Sequence, residues 1–294
     1  MQQVINILVL GSIYGLFSMG LSLAWGVANI LNLAHGAVFV TGATVTYVIG
    51  TVTGLPLIVL LPVAMLVGAL ITVVMDAVAF TPIIAKSETL FNRELAFLMA
   101  TFGFNGILIN VTEELTESRI VSIPQSVFQS EVFRFGDVSI TNIQILTLVF
   151  GIIVAVALTW WIKRTRQGRL RAVAYNDRIT PLFGIDGKRL SRATLAVSGA
   201  LAAGAGVLLA ILLSGFNAHS GESLMIKAFA VIIVGGIGNV MGTALAAYGL
   251  AAVETVAFLT LGGEAQDAAA FVIILIVLLL RPQGVLGATT TERA

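Results

Sequence analysis

The chain contains no cysteine, and no Asp, Glu, Lys or Arg precedes Asp76. The first absence excludes disulfides and thiolate metal sites. The second leaves a long opening stretch without the charges that a soluble surface carries. Only 11% of the 294 residues are charged and 58% are hydrophobic, with a mean hydropathy of +1.02. Ordinary soluble domains carry about 25% charged residues. There are too few polar side chains to cover a water-facing surface, so the composition indicates an integral membrane protein.

Other absences narrow the function. There is no G-x-x-x-x-G-K-[ST] phosphate loop, since "GIDGKR" (184–189) has the wrong spacing, and there is no H-E-x-x-H or nucleophile elbow. The two histidines, His35 and His219, lie far apart, and His35 has no carboxylate near it in sequence. Neither a resident metal nor a cofactor is expected in this chain. Catalytic chemistry is not expected of it either, nor nucleic-acid binding; if energy is used, another subunit supplies it. The opening "MQQVINILVLGSIYG" lacks a positive n-region, and the first Lys or Arg is Lys86. A retained first helix is therefore expected rather than a cleaved leader.

What is present are continuous apolar runs, such as "LPLIVLLPVAMLVGALITVVM" (55–75) and "ILTLVFGIIVAVALTWW" (145–161). A membrane barrel would instead alternate apolar and polar residues over ~10-residue segments. The expected fold is all-α, a polytopic membrane helix bundle of eight to ten transmembrane segments, forming a single domain over 1–294. Spans read near 4–25, 30–50, 57–79, 95–111, 142–162, 191–213, 225–260 and 266–281. The stretch 225–260 is too long for one comfortable crossing. Gly235, Gly236, Gly238, Asn239 and Gly242 in "GGIGNVMG" would loosen or break it.

Charge sets the expected orientation. Residues 163–192 hold nine Lys or Arg against two Asp, whereas 112–140 hold four Glu and one Asp against two Arg. Short loops rich in Lys and Arg stay on the cytoplasmic side. The loop 163–190 is then inside and 112–140 outside, where a small hairpin cap or a solvated linker would fit.

Within the inner loop, Ala172, Tyr175, Ile179, Leu182 and Phe183 recur with the rhythm of an amphipathic helix, among Arg169, Arg171, Asp177 and Arg178, and Gly184 would end it. A basic helix resting on anionic lipid and a helix docking into a cytoplasmic partner both match this pattern. "GSIYGLFSMG" and "SGALAAGAG" carry small residues at the spacing that lets membrane helices approach closely. This indicates a multi-helix body rather than a lone anchor.

The stretch "ANILNLAHGAVFVTGA" (28–43) is different in kind. If it is helical, Asn29, Asn32 and His35 fall within one third of its circumference. Polar groups in membrane spans face a bundle interior or a wet cavity. They could equally join helices by hydrogen bonds, or cap a helix break just before Gly36. Glu254, in "GLAAVETVAF", is an intramembrane carboxylate and a functional candidate on that ground. Asp76, close to an inner loop, reads as interfacial.

Four stretches together resemble a known family. "GVANILNLAHGAVFVTGA" (26–43), "GRLRAVAYNDRITPLFGID" (168–186), "IKAFAVIIVGGIGNVMGTALAAYGLAAVET" (226–255) and "LLRPQGVLG" (279–287) are similar to segments of the LivH-like permease subunits of bacterial ABC importers for branched-chain amino acids. The resemblance covers nearly the whole chain. It implies a multi-pass protein of a prokaryotic cell (inner) membrane, with a second permease, identical or homologous, beside it. It also implies two cytoplasmic ATP-binding cassette subunits and an extracytoplasmic solute-binding protein. The 168–186 segment would dock on the ATPase through Arg169, Arg171, Ala172, Ala174, Asp177, Arg178, Leu182, Phe183 and Gly184. Asn29, Asn32, His35, Gly36 and Glu254 would line or shape the pathway. Permeases for urea and short amides are closely similar, and a stand-alone secondary transporter is the rival of another class.

Overall fold

The computed structural model describes residues 1–87, 89–136, 138–164 and 186–280. The apolar runs form helices α1 (Gln2–Ala28), α2 (His35–Thr53), α3 (Leu57–Met75), α5 (Leu90–Thr116) and α6 (Asn142–Arg164). They continue with α7 (Gly187–Leu212), α8 (Ser220–Gly235), α9 (Val240–Leu261) and α10 (Gly263–Leu280). Helix α3 runs through one π-helical turn, Asp76–Phe80, into the short α4 (Thr81–Lys86). Side chains cap several starts: Thr89 accepts from Asn92 N at 3.2 Å, Asp186 from Arg189 N at 3.0 Å and Asn239 from Gly242 N at 3.0 Å. Each satisfies an N–H that the first helical turn leaves unpaired.

Among the described residues, seven helical stretches are long and apolar enough to cross a membrane. On α5 and α6, Met99, Phe102, Ile107, Ile152, Ile153 and Val156 are all exposed. Soluble monomers do not present apolar surface on this scale; a polytopic membrane bundle does. The stretch 225–260 is two helices. Gly235 ends α8, Gly236 and Gly238 take positive φ (87° and 77°), and Asn239 starts α9. Gly235 lies against Gly242, and farther along Lys227 meets Glu254, so α8 and α9 run antiparallel.

Helix α1 is the centre of the bundle, packed against α6, α7, α8 and α9. Helix α7 packs in turn on α2 and α3. The α3–α7 contact is backbone to backbone: a Cβ on Gly199 would run into the Gly68 carbonyl and the Thr72 side chain. Thr72 uses that proximity to donate from Oγ1 to Leu195 O at 2.9 Å. This is the small-residue packing expected where no hydrophobic force drives membrane helices together.

Between α5 and α6 the chain forms an antiparallel hairpin of β1 (Val132–Phe135) and β2 (Val138–Thr141), with Val132 opposite Thr141. Ser139 N donates to Gln2 Oε1 at 3.0 Å, which ties the hairpin to the start of α1. Helix α5 extends to Thr116, so the polar connection begins later than the 112 expected from the sequence.

Candidate functional site

The first polar feature lies at the head of α2. Helix α1 ends at Ala28, where Asn29 adopts the left-handed conformation (φ 53°) and donates its N–H to Trp25 O at 3.1 Å. A left-handed Asn or Gly is a common way to close a helix. The chain then runs without helix to His35. Asn32 Oδ1 accepts from Ala34 N at 3.0 Å and Asn32 O from His35 N at 3.2 Å, so Asn32 supplies the turn that starts α2.

The expectation of one polar helix face through Asn29, Asn32 and His35 is therefore corrected. Their segment is a helix break, Asn29 is exposed at the end of α1, and only Asn32 and His35 come together, both fully buried.

His35 Nε2 lies 3.0 Å from Phe17 O, and a carbonyl only accepts, so the proton is on Nε2 and Nδ1 is an acceptor. The ring sits 4.5 Å from that of Phe17. Among the described residues, His35 Nδ1 and Asn32 Nδ2 have no hydrogen-bond partner. The head of α2 thus holds one buried acceptor and one buried donor unspent. Gly36 closes the arrangement from the other side, its backbone against Gly221 in the first turn of α8. A side chain at either glycine would collide with the other's carbonyl.

The second feature is ionic. Glu254 on α9 is completely buried, and Lys227 on α8 places Nζ 3.1 Å from its Oε1 and 3.2 Å from its Oε2. Tyr14 on α1 donates its hydroxyl to Glu254 Oε2 at 2.7 Å and receives a hydrogen bond from Lys227 at 3.3 Å. Gln266 on α10 adds its amide at 3.5 Å. The Lys227 ammonium also stands 5.5 Å from the centre of the Tyr14 ring, within cation–π range. Four helices therefore converge on one carboxylate.

Glu254 and the head of α2 are separate sites, but both touch α1, through Tyr14 and through Phe17 one turn later. Lys227 and Tyr14 do not stand out in the sequence reading. A signal for Lys227 was there: it is a lone cation in the apolar run "MIKAFAVIIVGG", and an intramembrane charge calls for a named partner.

Asp76, expected at the interface, is buried in the π-helical turn. It accepts from Arg192 Nε at 3.0 Å and from Thr81 Oγ1 at 3.3 Å. The docking candidates Arg169, Arg171, Ala172, Ala174, Asp177, Arg178, Leu182, Phe183 and Gly184 lie outside the described residues. No cluster suited to a metal ion occurs among the described residues.

Residues 3–280 match the family model described as "Branched-chain amino acid transport system / permease component". The chain belongs to this permease family. It is 30% identical to the high-affinity branched-chain amino acid transport system permease protein BraD of Pseudomonas aeruginosa, over 100% of this chain and 97% of the relative. Identity and coverage are the same for LivH of Salmonella typhimurium. The ribose import permease protein RbsC of Haemophilus influenzae is 29% identical over 83% of this chain and 74% of its own. Among solved structures, PsaBC from Streptococcus pneumoniae in complex with Fab has a similar fold, with TM-score 0.51 and 12% identity, over 95% of this chain and 91% of that one. The protein is thus a multi-pass membrane permease subunit of a branched-chain amino acid ABC import system. It is not itself an enzyme; the ATPase activity of such a system resides in separate subunits.

Proposed function

We propose that this permease and a second one, identical or homologous, enclose a pathway for branched-chain or related amino acids. An extracytoplasmic solute-binding protein delivers the solute, and cytoplasmic ATP-binding cassette subunits docked on the 163–190 loop supply the energy. Nucleotide state biases the pair between outward and inward openings only through contacts that differ between those states. Asn32, His35 and Gly36 shape the pathway and Asn29 borders it. Glu254 acts on it through its partners on α1 and α8.

One observation carries this reading: the buried helix break between α1 and α2, with an unspent donor on Asn32 and acceptor on His35. Non-helical backbone at membrane depth is tolerated where protein buries it or where it lines a cavity. Broken helices at such depth are where transporters bind polar solute groups. A free donor and a free acceptor at the head of one helix suit a zwitterion.

Uptake by the reconstituted assembly tests it. Asn32→Ala and His35→Ala are expected to lose most solute-stimulated transport, with Asn29→Ala least affected. Wild-type transport in all three variants would remove the pathway role of this segment. The likeness to a ribose permease keeps a wider solute range as the second reading, which competition by urea, short amides and sugars would reveal. Flux without any ATPase subunit would instead favour a stand-alone transporter.

A further inference from the structure

The head of α2 is clamped on two sides. Phe17 of α1 holds His35 through its carbonyl, and Gly221 of α8 seats Gly36. The clamp keeps its spacing only if α1 and α8 stay fixed relative to each other. The ionic network joins those same two helices. Tyr14 lies one turn from Phe17 on α1, and Lys227 lies within two turns of Gly221 on α8. Both reach Glu254 of α9, with Gln266 of α10 behind it.

We propose that Tyr14, Lys227, Glu254 and Gln266 form a pin that positions the head of α2. They are positioning residues: they set the distance between Phe17 and Gly221, and thereby the hydrogen bond that fixes the His35 ring, without touching solute. The physical case is one of cost. Desolvating both charges of an ion pair is often no better for stability than well-packed apolar side chains of similar volume. Such a pair fixes geometry, however, because Lys227 has to remain where Glu254 can answer it. Slippage of α8 past α9, which packs along α1, would part Lys227 from Glu254 and leave both charges unpaired in an apolar interior. The pin thus makes the clamp stiff where packing alone would let it slide. The inference rests on the permease reading only in taking the α2 head as part of the pathway.

The test reads His35 directly, in the full-length chain in lipid nanodiscs. The sequence has two histidines, so His219→Gln leaves His35 as the one signal in a 15N-histidine-labelled sample. The starting spectrum is expected to show a single Nε2-protonated tautomer. Tyr14→Phe keeps the ring and the ion pair and removes one hydroxyl, so it is the variant least prone to misfold. Glu254→Gln removes the charge.

Both are expected to turn the single tautomer into a mixture, and Lys227→Glu/Glu254→Lys to restore it in part. Asp76→Asn, which breaks a different buried ion pair, should leave His35 unchanged. An unaltered His35 spectrum in Tyr14→Phe and Glu254→Gln overturns the proposal, and so does a change of equal size in Asp76→Asn. Uptake is read separately on the reconstituted assembly. There the pin variants should lower maximal rate more than apparent solute affinity, whereas a uniform loss of assembled protein would mark a merely structural role. Failure of wild-type uptake bears on the permease reading alone, since the His35 spectrum does not depend on transport.

Discussion

Two buried polar sites sit one turn apart along α1 and are built on opposite principles. At Tyr14 the charges answer each other: Lys227 stands within ion-pair distance of both Glu254 oxygens, the Tyr14 hydroxyl and the Gln266 amide reach Oε2, and Oε1 is held by the ion pair alone. At Phe17 the side chains are only half used, since His35 spends Nε2 and Asn32 spends Oδ1 while His35 Nδ1 and Asn32 Nδ2 have no partner. A buried polar network that is fully satisfied makes its surroundings rigid, whereas each unsatisfied group carries a desolvation cost of ~1–3 kcal/mol. The contrast separates a site that holds helices in place from one that keeps hydrogen-bonding capacity in reserve.

The largest effect is expected at the ionic site. Lys227→Met leaves the Glu254 carboxylate buried without its counter-charge, a change that typically costs ~3–5 kcal/mol. Lys227→Met/Glu254→Leu removes both charges and is expected to be clearly more stable than the single variant. Unfolding of the purified chain in detergent measures the difference. If the double variant loses as much as the single, the network is not behaving as an ion pair and the contrast fails.

The reserve site should show the opposite balance. His35→Leu gives up one hydrogen bond to Phe17 O, ~0.5–1.5 kcal/mol, and also removes an unspent acceptor, so stability should change little. Solute-stimulated uptake should nevertheless fall to a small fraction of wild type. A variant that is both stable and fully active would place His35 among ordinary packing residues.

How far these sites can be read from the sequence follows from the range of the forces involved. The spans are local, compositional properties, and they are legible. The division of 225–260 is legible too, because Gly236 and Gly238 occupy positive-φ positions that other residues adopt at a cost. The ion pair is only half legible. Glu254 stands out, but Lys227 is 27 residues away on another helix and Tyr14 is 240 residues away, so the pairing exists only in the packed bundle.

The α2 head misleads for a different reason. A three-residue spacing implies a shared face only if the helix is continuous, and Asn29 interrupts it by adopting the left-handed conformation. The same asparagines that suggest a polar stripe are the residues best able to break and restart a helix. The helix-break alternative had the local chemistry on its side.

The smallest effect is expected at a third polar contact, which lies at the surface. His219 Nδ1 is 2.8 Å from Glu222 Oε1 and its Nε2 is 3.1 Å from Glu113 Oε1, linking the start of α8 to the end of α5. Both ring nitrogens can donate only when the imidazole is protonated. The hydrogen bond to Glu222, and then that to Glu113, accordingly raises its pKa above 6.5. A raised folded-state pKa means that the contact's stabilisation is complete below 6.5 and is lost as pH climbs through the higher folded value. Stability of the wild-type chain should therefore decline slightly as pH rises above 6.5, and His219→Gln should flatten that slope. Because the ring is largely exposed, the slope should also shrink in high salt, which screens surface charge. The ionic site at Glu254, shielded from solvent, should respond far less to salt. Equal salt sensitivity at the two sites would mean that water reaches the Lys227–Glu254 pair, and the distinction between a pinned interior and an adjustable surface would no longer hold.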